Sequence, residues 1–293
     1  MSERHGIVVG IDGSPGSAAA LRWATDHEQR FGPIRPVYVW SIPALAIAGT
    51  PLGYAPAPPV AEMEAAAERA AAALAEAYGL EPADMAVVQG DAGAALCDAA
   101  EDANVLVVGT RSRGPVRTNL LGSVGRFCAD HASVPLVIVP PDDEREGSPE
   151  PVVVGVDGSP NSIEALRWAT AHAGDAPVTA VACWQTPVDG PILFGGGRFD
   201  LKALRAQAET IADEAIGKVA ADLGVEPDRI GRRIAEGDPR WILQGEQPRS
   251  SLLVLGRRGR GGLAHLVLGS TTTALIRQPD CPIAVIPPED THE

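Results

Sequence analysis

The 293-residue sequence predicts an α/β fold made of two tandem domains, each with a mostly parallel sheet and helices on both faces. The chain exceeds the roughly 100–200 residues of a single domain. Sequence blocks recur in the same order in its two halves, and short β-branched runs alternate with helical segments. The composition is 45% hydrophobic but only 4% aromatic, which suits helices packed on a buried parallel sheet.

Three blocks repeat in order, which indicates a duplication. Residues 7–25 (IVVGIDGSPGSAAALRWAT) match residues 152–170 (VVVGVDGSPNSIEALRWAT) at 14 of 19 positions. The second block contains a glycine-spaced loop, and the third ends each copy. These blocks are residues 106–123 with 253–270, and residues 134–140 with 281–287.

The stretch between the copies is charged and contains proline, without an apolar anchor. Such a composition is typical of a linker. We therefore expect domain 1 over residues 1–141, a linker over 142–150 and domain 2 over 151–293.

Strands and helices alternate within each copy. Helices are predicted over 62–78, with Gly79 at the stop position, and over about 201–223 before Gly224. Strands separated by helices imply parallel βαβ units, whose ligands bind at the carboxyl ends of the strands where the strand order reverses. In copy one the predicted strands are Ile7–Ile11, Val37–Trp40, Ala86–Gln89, Val105–Val108 and Leu136–Val139.

Charge and residue usage exclude several function classes. The net charge of −14 would repel a phosphate backbone, so nucleic acid is not an expected partner. The polar start, Met1 to Gly6, and the lack of a long apolar run predict a cytoplasmic protein with no membrane partner. The histidines form no close pair, which disfavours a metal site. The four cysteines lie far apart without a CxxC motif, which argues against a metal knuckle or a redox dithiol. The cysteines are Cys97, Cys128, Cys183 and Cys281.

Asp12 and Asp157 follow the first strand of each copy and precede Gly-Ser-Pro. Asp and Ser at a strand-to-helix turn are ordinary capping residues. A carboxylate at this edge of the sheet could instead accept a hydrogen bond from a ribose or a base. The sequence leaves both interpretations open.

The loop after the fourth strand of copy two has the spacing G-x2-G-x9-G-S, with Gly256, Gly259, Gly269 and Ser270. Glycines allow positive φ and close approach to an anion, and a helix starting near Ser270 would direct N–H groups at phosphate. The pattern is neither a Walker loop nor a dinucleotide fingerprint. It predicts phosphate binding.

Arg257, Arg258 and Arg260 concentrate positive charge in this loop, against the sign of the whole chain. A charge run alone is often a solvated surface. Among glycines at a predicted switch point, it favours anion binding.

The segments VVVGVDGS, LVLGRRGRGGLAHLVLGS and CPIAVIP resemble the universal stress protein family, and the resemblance covers both halves. In the nucleotide-binding branch of that family, G-x2-G-x9-G-[ST] holds ATP. The resemblance is to tandem-domain actinobacterial stress and dormancy proteins. It implies two Rossmann-like domains, each with a five-stranded sheet of order 3-2-1-4-5.

The resemblance also assigns candidate ATP-binding residues. Asp157 would contact the nucleoside, the backbone of Cys183 would meet adenine, and the glycines with Ser270 would hold the phosphates. Domain 2 candidates are Val156, Asp157, Cys183, Gly256, Arg258, Gly259, Gly269, Ser270 and Thr271. Domain 1 candidates are Ile11, Asp12, Val39, Gly109, Arg111, Ser112, Gly122, Ser123 and Val124.

Ser112 departs from the family's pattern because it replaces the middle glycine. If that position needs positive φ, a side chain costs about 1 kcal/mol. We therefore expect site two to bind ATP more tightly than site one.

Function follows from the resemblance as an expectation. It implies an ATP-binding regulator of a stress or dormancy response, with Mg²⁺ carried by the ATP and no metal held directly by the protein. The last strands resemble a dimerisation edge, so a homodimer is expected there. No catalytic set accompanies the loop, yet two alternatives stay open: an ATP-using enzyme (a slow ATPase, or an adenylating or phosphoryl-transferring one) and a scaffold with vestigial sites.

Overall fold

The computed structural model describes residues 5–42, 59–110, 120–141, 151–186, 200–259 and 268–288. The chain divides into two compact units, residues 1–142 and 143–293. The predicted linker, 142–150, lies outside the described residues.

Unit 1 is a doubly wound parallel sheet. Its strand order is β3-β2-β1-β4-β5, and every described strand pair in it is parallel. The strands are β1 Ile7–Ile11, β2 Ile34–Trp40, β3 Ala86–Gln89, β4 Val105–Gly109 and β5 Leu136–Val139. The helices are α1 Pro15–Phe31, α2 Val60–Ala77, α3 Ala92–Ala99 and α4 Ser123–His131.

Unit 2 repeats this topology with the order β8-β7-β6-β9-β10, again with parallel pairs. The predicted α/β fold and the strand order 3-2-1-4-5 are therefore confirmed in both units. The strands are β6 Val152–Gly155, β7 Val178–Trp184, β8 Ile230–Glu236, β9 Leu252–Gly256 and β10 Ile283–Ile286. The helices are α5 Pro160–His172, α6 Leu201–Leu223, α7 Pro239–Glu246 and α8 Ser270–Arg277.

Local sequence explains where the first helix of each unit begins. Ser14 and Ser159 are N-caps whose side chains accept hydrogen bonds from the backbone three residues on, and a proline follows each of them. Proline suits the first helical turn because its missing N–H has no partner there anyway. The chain therefore turns sharply from β1 or β6 into a helix at the carboxyl end of the sheet.

The long helix α6 ends where the sequence predicts. Gly224 adopts φ 65° and ψ 33°, and its N–H donates to the carbonyl of Ala220. This left-handed conformation favours glycine, which lacks a Cβ.

Strand β2 begins three residues earlier than predicted, at Ile34 rather than Val37. Its proline, Pro36, pairs in register with Val9 of β1, whereas β3 joins β2 only from Val37 onward. Pro36 therefore removes no hydrogen bond that β3 needs.

No helix in the described part of the chain combines the length and the apolar character needed to cross a bilayer.

Candidate functional site

The predicted residues of copy two surround one cavity of about 270 Å³ at the carboxyl ends of β6, β7 and β9. Leu243 of α7 and Leu268 close its apolar side. Every domain 2 candidate lines this cavity: Val156, Asp157, Cys183, Gly256, Arg258, Gly259, Gly269, Ser270 and Thr271. Strand ends, a glycine loop and a helix start thus face one space.

The Asp157 carboxylate has a structural role in the turn after β6. Its Oδ1 accepts hydrogen bonds from the Ser159 N–H at 2.9 Å and the Ser159 hydroxyl at 2.6 Å, and the Asp157 N–H donates to Ser162 Oγ at 3.3 Å. Ser159, not Asp157, is the N-cap of α5. The turn orients the carboxylate and leaves its second oxygen, Oδ2, beside Gly259.

Asn161 holds the glycine loop against the end of β10. Its Nδ2 donates to the carbonyls of Ile286 and Pro287, each at 3.1 Å, and its Oδ1 accepts from the Arg258 N–H at 2.8 Å. The side chain is 7% exposed. The residues after β9 are therefore fixed by a buried amide, which makes Asn161 a positioning residue for the loop.

Asn161 is a residue that the sequence interpretation missed. Its counterpart in copy one is Gly16, so the two copies differ here within an otherwise similar block. That difference was the available signal. The role of Asn161 could not be predicted from this difference, because only the fold brings its hydrogen-bond partners close.

Backbone bonds complete the loop. The Arg257 N–H donates to the Ile286 carbonyl at 2.8 Å, and the Gly269 N–H donates to the Arg257 carbonyl at 2.8 Å. Thr272 Oγ1 donates to the Gly256 carbonyl at 2.9 Å. Both ends of the glycine loop are thus tied to each other and to the sheet.

The loop glycines do not use the positive φ that glycine allows. Gly256, Gly259 and Gly269 all lie outside the left-handed region. A Cβ at Gly259 would overlap with Oδ2 of Asp157, and one at Gly256 would lie 2.9 Å from the Asn161 carbonyl. Glycine therefore leaves space for neighbouring backbone at position 256 and for the Asp157 carboxylate at position 259, whereas a Cβ at Gly269 would make only ordinary contacts.

Helix α8 presents its amino terminus to the cavity. Gly269 is its N-cap and provides no side-chain cap, while Ser270, Thr271 and Thr272 form its first turn and line the cavity. The first-turn N–H groups of a helix have no partner within the helix and carry partial positive charge. This edge of the cavity therefore suits an anion.

The arginines of the loop separate in space. Arg258 lines the cavity, whereas Arg257 is 8% exposed and is not among the lining residues. Arg260 lies outside the described residues. Of the two described loop arginines, Arg258 supplies the positive charge at the cavity.

Cys183 lines the opposite side of the cavity, near the end of β7. Burial raises the pKa of its thiol to about 11. The thiol is therefore neutral near neutral pH, and this wall carries no negative charge from Cys183.

Unit 1 has a corresponding cavity of about 120 Å³. Ser123 begins α4 but is not among the lining residues, and Arg111 and Ser112 lie outside the described residues. Six candidates line the cavity: Ile11, Asp12, Val39, Gly109, Gly122 and Val124.

The wall of this cavity is built by close backbone contact instead of a side-chain clamp. A Cβ at Gly16 would overlap with the carbonyl oxygen of Thr110, and one at Gly109 would overlap with the backbone of Gly16. Thr110 is 1% exposed, and its hydroxyl has no partner among the described residues. Asp12 Oδ1 accepts from the Ser14 N–H at 2.9 Å, as Asp157 does from Ser159.

Within the described residues, no group of three or more His, Cys, Asp or Glu side chains could hold a metal ion.

The geometry defines a tandem, doubly wound α/β protein with a cavity at the strand ends of each unit. The model of the universal stress protein family matches residues 3–140 and 149–287, and the chain belongs to this family.

The chain is 29% identical to a universal stress protein of Mycolicibacterium smegmatis over 97% of each chain. In fold, it is similar to the crystal structure of a universal stress protein from Archaeoglobus fulgidus, with a TM-score of 0.64, 22% identity and coverage of 96% of this chain and 98% of the other. A universal stress protein solved in complex with cAMP, 23% identical with a TM-score of 0.34, corresponds to 47% of this chain and 96% of its own.

Proposed function

We propose that unit 2 binds an adenine nucleotide, ATP, and that the protein acts as a nucleotide-dependent regulator. The supporting observation is the shared cavity of the glycine loop, the start of α8 and the Asp157 carboxylate. Its volume of about 270 Å³ lies close to the lower end of the ~300–1,000 Å³ range of ligand pockets.

Each end of the cavity suits a different part of the ligand. Polyphosphate would lie against the first turn of α8 and Arg258, where N–H donors and positive charge meet. The Asp157 carboxylate is an acceptor and suits a ribose hydroxyl. The apolar wall formed by Leu243, Leu255 and Val181 suits a flat base.

Magnesium would enter with the triphosphate, because ATP itself supplies oxygen ligands for the ion. We do not assign a protein ligand to it.

The test is to identify the small molecules released when freshly purified full-length protein is denatured, followed by calorimetric titration of the nucleotide-free protein with ATP. We expect ATP among the released molecules and tighter binding of ATP than of adenosine, because the loop and α8 contact the phosphates. No released adenine nucleotide and no heat of ATP binding would overturn the proposal.

A turnover assay on the same protein distinguishes the regulator from an ATP-using enzyme. We expect at most slow ATP hydrolysis. Multiple turnovers that disappear in Asp157→Asn while ATP still binds would favour the enzyme.

The expected order of the two sites is part of this proposal, with site two tighter than site one. Dimerisation through the last strands, β5 and β10, and a cytoplasmic location also stay predictions. The mass of the full-length protein, measured by light scattering as it elutes from a size-exclusion column, tests the dimer. A monomer at micromolar concentration would contradict it.

A further inference from the structure

Two thiols that are distant in the sequence lie together in unit 1. Cys97 is on α3 and Cys128 on α4, and these helices pack against each other. The sequence interpretation expected no redox dithiol because these cysteines are 31 positions apart and form no CxxC motif.

The contact between the helices is close at this point. Cys128 Sγ lies 3.8 Å from the carbonyl oxygen of Gly93, to which the N–H of Cys97 donates in a regular α-helix. A Cβ added at Gly93 would lie 2.7 Å from the Phe127 ring. Cys128 therefore points at the helical turn that ends at Cys97, which brings the two cysteines close together where the helices pack.

Exposure gives the two thiols different roles. Cys97 is partly exposed, whereas Cys128 is fully buried. The neighbouring Cys97 thiol, together with burial, raises the pKa of the Cys128 thiol. A reagent from solvent therefore reaches Cys97 first, and Cys128 reacts as the second, slower thiol.

We propose that Cys97 and Cys128 form a reversible dithiol–disulfide site that reacts with low-molecular-weight disulfides. The Cys97 thiolate attacks one sulfur of the small disulfide, forms a mixed disulfide and releases one small thiolate. Cys128 then loses its proton and attacks Cys97 Sγ, which releases the second small thiol. Two protein thiols are oxidised to one disulfide, and one small disulfide is reduced to two thiols.

The disulfide would link two walls of the unit 1 cavity. Leu96, next to Cys97, and Val124, one turn before Cys128, both line that cavity. Unit 2 has Gln244 and Leu275 at the matching positions, and Gln244 Nε2 instead donates to Asp280 at 2.7 Å. The modification is therefore specific to unit 1, and it does not depend on the proposed nucleotide binding.

Native full-length protein is equilibrated in buffers of reduced and oxidised glutathione, and the reaction is quenched with acid. The protein is then denatured, its remaining thiols are alkylated, and its peptides are mapped by mass spectrometry. We expect a peptide pair linked through Cys97 and Cys128 that reverts on reduction. The link should disappear in Cys97→Ala and in Cys128→Ala, and persist in the control Cys281→Ala.

The variant Cys97→Ala is expected to fold, since the side chain that it truncates is partly exposed. In that variant Cys128 should stay a thiol at every glutathione ratio. A mixed glutathione disulfide at Cys97 with Cys128 still fully alkylated after denaturation would overturn the proposal, as would a link through any other pair.

Discussion

The two copies differ most instructively at the second residue of their first helices. In unit 1 this residue is Gly16, and the helix backbone touches the backbone of β4 and Thr110 directly. In unit 2 it is Asn161, whose side chain donates to the carbonyls of Ile286 and Pro287 at the end of β10 and accepts from the Arg258 N–H. The same topology thus supports two different contacts between the first helix and the end of the fourth strand.

This difference shows that the duplicated fold is kept while the contact made by the first helix changes. Backbone contact at Gly16 tolerates no side chain, whereas Asn161 adds three hydrogen bonds. Exchanging residues between the copies should therefore have unequal effects.

The largest effect is expected for Gly16→Asn, which places the copy-two residue in copy one. Its Cβ would overlap with the Thr110 carbonyl, so α1 and β4 must move apart. We expect unit 1 to lose about 3 kcal/mol of stability or more, as for severe overpacking. Hydrogen exchange, followed separately in peptides of each unit, measures this. Unchanged protection of unit 1 would refute the close backbone contact.

The next effect is expected for Asn161→Ala, which removes the clamp. The Arg258 N–H and the Pro287 carbonyl lose their bonds to the Asn161 amide, and the Ile286 carbonyl keeps only its bond from the Arg257 N–H, so unit 2 should lose about 2 kcal/mol. Urea unfolding with hydrogen exchange of unit 2 measures it. A loss equal to that of an exposed control such as Glu209→Ala would show that the clamp is unimportant.

Gly259→Ser places the copy-one residue in the second site, and its effect depends on the proposed nucleotide binding. The added Cβ would collide with Oδ2 of Asp157. We expect ATP to bind about tenfold more weakly, equivalent to about 1.4 kcal/mol. Calorimetric titration measures the affinity. The reverse change, Ser112→Gly, is the matched control and should strengthen binding to site one; equal affinities in all three proteins would contradict the expected ranking.

Cys183→Val, again the copy-one residue, should have the smallest effect. The implied adenine contact uses the backbone, and with its pKa raised to about 11 the thiol is uncharged at neutral pH. We expect a change in ATP affinity of at most about twofold, well under 1 kcal/mol, with no dependence on this thiol between about pH 6 and 9. A difference from wild type that grows with pH in titrations across this range would show that a thiolate takes part.

The fold was largely predictable because local sequence and tertiary structure agree. Helix α6 was predicted at its observed bounds, since Gly224 marks its end. Strand β2 was predicted too short, beginning only after Pro36, because the harmless position of this proline depends on where β3 begins.

The candidate site was predictable only in outline. The glycine spacing indicated which residues gather at the cavity, whereas the reason for glycine at position 259 is its nearness to Asp157, 102 positions away. The Asn161 clamp and the approach of Cys128 to the helix of Cys97 likewise join residues from different elements. Such long-range contacts have no local pattern to reveal them.

The amide of Asn161 also couples the movement of the glycine loop to that of the end of β10. The amide is bonded both to the Arg258 N–H and to the carbonyls at the end of β10. An outward shift of the loop must therefore either break these bonds or move the end of the strand as well. A ligand that displaces the loop would therefore also displace the carboxyl end of the last strand.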